Sequence, residues 1–228
     1  MIGKISLLFF LGIALTVCDS SFASEESELA RTSGAWSPPT SDLPKHNDLV
    51  DILHRLPEFS LTDQSGAEVA WHDLYGRVWI ANFMSTRCQE SCAARNAVMN
   101  ELQAGIKGTN NWQHTRLVSI SFDPEHDSPD VLSRYAQGHG LETSQWHFLT
   151  GPRDAVRSLV KDGFKLPVAD DPGSSAIPLL RTDMLVLVDW EGRVRGYYND
   201  FGEEGLTILK RDIARVTFER IVQPPTAA

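Results

Sequence analysis

Cys88 and Cys92 are the two residues of this chain whose type and spacing point most directly to chemistry. Thiols four positions apart on a helix share one face, and if one of them sits in a loop the two sulfurs can meet. Such a pair closes a disulfide or grips one soft metal ion from two sides. In either use the thiolate is the working form, as nucleophile or as ligand. A third use is an inert staple, but so short a loop removes little unfolded-state entropy and stabilises little.

The surrounding sequence says how the pair is held. Val78-Trp79-Ile80-Ala81-Asn82-Phe83 reads as a strand buried on both faces, and Ser85-Thr86-Arg87 as a polar loop. Ser91 to about Gln103 favours a helix, with Val98, Met99 and Leu102 along its apolar stripe. Cys88 is thus expected where a strand ends and a helix begins. Unpaired N–H groups and the helix dipole there favour negative charge, so a thiol loses its proton more readily.

The same alternation runs through the rest of the chain. Glu58-Phe59-Ser60-Leu61, the turn Asp63-Gln64-Ser65-Gly66 and Ala67 to Trp71 read as a small β-hairpin. Arg116 to Phe122 is a second strand, and Ser128-Pro129 opens a helix carrying Val131, Leu132 and Tyr135. Trp146 to Leu149 is a short strand and Asp154 to Lys161 a helix. Met184 to Asp189 and Arg193 to Tyr198 form a late hairpin, and Leu206 to about Val222 a closing amphipathic helix. Helices interleaved with strands, ending in a hairpin, predict an α/β fold with a central mixed β-sheet flanked by helices.

Composition bounds the function. The chain has 228 residues, 42% hydrophobic and 22% charged, which suits one globular domain with extensions. A net charge of −9 and no clustered Lys or Arg argue against nucleic acid as a partner. Met1 to Lys4 is short and basic, Ile5 to Val17 is apolar, and Ser21-Phe22-Ala23 offers small residues for cleavage. Residues 1–23 therefore read as a signal peptide, and export to the periplasm or another extracytoplasmic space is expected. A membrane is then touched only through that segment, if it stays uncleaved. Residues 24–56 read as a flexible linker or an extension, 57–222 as the ordered domain and 223–228 as a tail. Cleavage after Ala23 leaves Cys88 and Cys92 as the thiols of the mature chain, in an oxidising compartment.

From Pro57 to Val222 the sequence resembles the Sco/SenC family, exported thioredoxin-fold proteins that help assemble the copper centre of cytochrome c oxidase. The resemblance rests on Phe59-Ser-Leu-Thr-Asp63 with Gly66, on the strand before Cys88 and on the three-residue gap to Cys92. It continues through Ser119-Ile-Ser-Phe-Asp-Pro-Glu-His-Asp-Ser-Pro129, Trp146-His-Phe-Leu-Thr-Gly151, and Val186-Leu-Val-Asp189 followed by Gly192-Arg193. It implies a thioredoxin-like domain and a thiol- or copper-containing partner protein, to be sought among cytochrome c oxidase subunits. It also implies copper held by two cysteines and one histidine just ahead of the late hairpin. Counting back from Asp189 puts Arg181 at that histidine's place, and no histidine follows His147. An arginine stays protonated and cannot ligate, although beside Cys88 it would stabilise a thiolate.

Three expectations follow. Cys88 and Cys92 act as a thiol–disulfide redox pair on a partner's cysteines; or they hold copper with a non-standard third ligand, for which His72 and His126 are the candidates; or they form a structural disulfide in a non-catalytic assembly factor. Asp123 and Asp127 are expected as turn and cap residues, and His147 as a locally hydrogen-bonded strand residue.

Overall fold

A computed structural model describes residues 51–88, 90–168, 184–199 and 201–222, apart from the side chains of 90–94. The signal segment, most of the linker, Arg181 and the C-terminal tail lie outside these residues. Eight strands and four α-helices can be followed in them: β1 (His54–Arg55), β2 (Ser60–Thr62), β3 (Glu68–Ala70), β4 (Val78–Met84), α1 (Glu90–Ile106), β5 (Thr115–Ser121), α2 (Pro129–Gly138), β6 (Trp146–Leu149), α3 (Arg153–Ser158), β7 (Leu185–Val188), β8 (Arg193–Tyr198) and α4 (Glu203–Val222).

The main sheet has the order β1-β8-β7-β4-β5-β6. β4, β5 and β6 run parallel, while β7, β8 and β1 pair antiparallel. This is the mixed sheet expected from the sequence. Every residue of β4 is buried, because helices cover both faces. Period-2 alternation divides its side chains: Trp79, Ala81 and Phe83 enter one core, and Val78, Ile80 and Met84 the other. The first core is closed by α3, the π-turn after it (Leu159–Gly163) and the β2–β3 hairpin. The second is closed by Met99 and Leu102 of α1, Leu132 of α2, and Leu209, Ile213 and Val216 of α4.

The hairpin is clipped to the main sheet by reciprocal Thr62 and Thr150 backbone hydrogen bonds of 2.7 and 2.8 Å. Gly151 follows directly, and a Cβ there would lie 2.7 Å from Cδ2 of the buried Leu61. Ordered structure also begins ahead of Pro57. His54 and Arg55 pair with Val194 and Arg193, and His54 Nε2 lies 2.8 Å from the Gly163 carbonyl oxygen. A two-residue strand carries no pattern of its own, and its partner lies about 140 positions away.

Candidate functional site at the β4–α1 junction

The parallel register between β4 and β5 brings Met84 opposite Ser121, so the loops that leave both strands emerge side by side. The Phe122 N–H still donates to the Met84 carbonyl at 2.9 Å. Beyond that point each loop turns. After β4, Ser85 is buried and the Cys88 N–H donates to its carbonyl at 3.1 Å. After β5, the N–H groups of His126 and Asp127 both donate to the Asp123 carbonyl.

Cys88 is half-buried in this turn and α1 begins two residues later. Cys92 falls in the first turn of α1, with its side chain outside the described residues. The strand–loop–helix placement expected for the pair is therefore what the backbone shows. Position 88 lies just ahead of the N-terminus of a 17-residue helix, where unpaired N–H groups and the helix dipole favour a thiolate.

The loop before Cys88 is held by two buried carboxylates. Asp127 accepts from the Thr86 N–H at 3.1 Å, from the Thr86 hydroxyl at 2.5 Å and from the Ser121 hydroxyl at 2.5 Å. Asp123 accepts from Arg87 Nε at 2.6 Å and from the Ser85 hydroxyl at 3.4 Å, and Arg87 also reaches it through a second guanidinium nitrogen at 2.5 Å. The Asp123 side chain is 1% exposed and the Arg87 side chain 49%. A guanidinium is thus fixed one residue from Cys88. Behind α1, the buried Asn96 amide donates to the Tyr135 hydroxyl. Burial pushes the Tyr135 phenol up; the Asn96 bond opposes that, and the Asp127 charge reinforces it.

Several expectations change here. Asp123 is a turn residue, but Asp127 caps no helix: Ser128 caps α2, accepting from the Val131 N–H, while Asp127 reaches across to Thr86. His147 is not locally bonded, since its Nδ1 lies 3.4 Å from Asp63 in the hairpin. His126 lies beside the cysteine loop, with Nδ1 3.3 Å from the Thr86 hydroxyl and 3.0 Å from Asp127. His72 sits in the turn after β3, where its ion-pair partner is Asp73 at 3.7 Å. Arg181, the position of the missing histidine, lies outside the described residues. The roles of Thr86 and Arg87 were not foreseen, because their carboxylates lie 41 and 36 positions away.

The SCO1/SenC family model matches residues 53–216. The SCO1 protein homolog of Bacillus subtilis (strain 168) is 31% identical over 156 residues, spanning 65% of this chain and 80% of that protein. Among solved structures, BsSco, described as a member of the Sco family of cytochrome c oxidase assembly proteins with a disulfide switch, is 28% identical. It has a TM-score of 0.63 and covers 73% of this chain and 96% of its own. Bradyrhizobium japonicum ScoI, solved with copper bound, is 20% identical with a TM-score of 0.58, over 71% and 99%; at that identity the likeness is one of fold. The match covers both loops, the cysteine pair and the sheet that positions them: this chain belongs to the SCO1/SenC family.

Proposed function

We propose that this chain is an exported thiol–disulfide redox protein of the Sco type, working through Cys88 and Cys92 on the cysteines of a partner during assembly of the cytochrome c oxidase copper centre. The observation that carries this reading is the placement of Cys88 in the turn that joins the end of β4 to the start of α1. The disulfide switch described for BsSco supports the same chemistry.

In the reaction, one thiolate of the reduced pair attacks a sulfur of the partner's disulfide, forming a mixed disulfide and expelling a partner thiolate. The second cysteine then attacks the mixed disulfide, closes Cys88–Cys92 and releases the partner's other thiolate. Two electrons pass from the pair to the partner, and the two protons of the dithiol end on the partner's thiols. Placement at the helix start favours Cys88 as the attacking sulfur.

Copper delivery is the second reading, favoured by the copper-bound Bradyrhizobium japonicum ScoI. As cargo, Cu⁺ suits two thiolates. The third donor is the difficulty, because position 181 is arginine and His126 is the imidazole nearest the cysteine loop among the described residues.

Both readings are tested on the reduced full-length chain. Anaerobic Cu⁺ titration against a competing chelator, with Cys88→Ser as control, is expected to show weak binding. Tight one-to-one binding that the variant abolishes would overturn the redox reading in favour of delivery. The reduction potential of the pair is expected to lie in the range of exchanging dithiols, roughly −120 to −270 mV. A value below about −300 mV, with activity surviving in Cys88→Ser, would make the bond structural.

A further inference from the structure

The redox reading leaves one cluster unused. Asp123, His126 and Asp127 each offer a ligand atom, and these atoms lie within 4.8 Å of one another. Asp123 and Asp127 are buried and His126 is exposed, so the cluster opens to solvent on the imidazole side. The cation shown against these carboxylates is the half-exposed Arg87, paired with Asp123. His126 balances the second carboxylate only when it is protonated.

A second observation points to a ligand. The Asp123 Oδ1 atom is buried and has no hydrogen-bond partner among the described residues. Its other oxygen, Oδ2, takes both Arg87 contacts and the Ser85 hydroxyl. A carboxylate oxygen withdrawn from water and left without a donor calls for an ion or an ordered water.

We propose that Asp123, His126 and Asp127 bind a divalent cation of the borderline class, such as Zn²⁺ or Co²⁺, beside the cysteine loop. Two carboxylates and one imidazole suit that class and need no sulfur, so the site is distinct from a thiolate copper site. The supporting groups are in place: Thr86 and Ser121 hydroxyls fix the Asp127 carboxylate, and Arg87 and Ser85 fix that of Asp123. Groups of this kind orient ligands and sharpen affinity. A fourth position, on the solvent side, is left to water.

The test uses the untagged full chain, oxidised and then alkylated so that no thiolate remains, which separates the outcome from any behaviour of the cysteine pair. Co²⁺ is titrated by its visible absorption and Zn²⁺ by calorimetry. One equivalent is expected to bind, with no thiolate-to-cobalt charge-transfer band. His126→Ala removes an exposed side chain and is expected to keep the circular dichroism spectrum while weakening binding by about 10- to 100-fold or more. Asp123→Asn is expected to weaken it similarly, and His72→Ala to leave it unchanged. No binding by the alkylated protein, or unaltered affinity in His126→Ala, would overturn the proposal and give the buried oxygen to a water.

Discussion

At the scale of single residues, Asp63 shows how local donors beat burial. Burial alone would raise its pKa, but the Ser65 hydroxyl and N–H, the Ala67 N–H and His147 together hold it below the usual carboxylate value. A depressed carboxylate contributes stability that is present above its unfolded pKa, about 3.9, and lost as pH falls through the lower folded value. Asp63→Asn is therefore expected to cost about 1–3 kcal/mol near neutrality and much less near pH 2. Urea unfolding at the two pH values checks this, and an equal loss at both would count against it. His147 belongs to the same argument. Its strand position was plain in the sequence, but a partner 84 positions away leaves no local trace. Asp127 misled for a different reason: an acidic residue before Ser-Pro looks like a cap, whereas Ser128 supplies the oxygen that α2 needs.

At the scale of elements, legibility followed hydrophobic period. β4 and β5 were readable because strands covered on both faces become continuous apolar runs, and the late hairpin because Gly192 adopts φ +73° in a tight turn. What stayed hidden depends on distant partners. β1 exists because β8 offers it hydrogen bonds, and the π-turn after α3 puts the Gly163 carbonyl where His54 meets it. Gly151 has a packing role that its place after β6 does not announce. A Cβ there would press on Leu61, which is 2% exposed and has little room to move. Gly151→Ala is expected to destabilise by about 1–3 kcal/mol, read from denaturant midpoints, and to leave the Cys88–Cys92 potential unchanged. A neutral effect would mean that the hairpin shifts without cost.

At the scale of the whole molecule, the helix-covered sheet sets an alkaline limit on stability. Tyr197 donates to the Phe164 carbonyl at 2.7 Å, and burial pushes its pKa up to about 12. Tyr198 is raised further, by burial first and by the adjacent Asp212 carboxylate, to which its hydroxyl donates a hydrogen bond of 3.0 Å. A raised phenol favours the folded state less as pH climbs past the unfolded value of about 10, because only the unfolded chain then ionises. Unfolding midpoints should fall as pH rises from about 10 towards 12, and Tyr197→Phe with Tyr198→Phe should flatten that fall. A slope unchanged by the double variant would place the limit elsewhere. Among the described residues no helix is long and apolar enough to cross a membrane.

The small hairpin has a further consequence for how partners approach. Its turn residue Gln64 accepts the Phe148 N–H at 2.7 Å, and Thr62 occupies both backbone groups of Thr150, so the outer border of β6 is already spoken for. At the opposite border β1 is only two residues long. Among the described residues neither border presents a long row of open backbone groups on which another extended chain could add itself. A guest that does not add a strand has to be received by surface loops and side chains. The same closure lets the folding chain find its own strands before it finds a neighbour's.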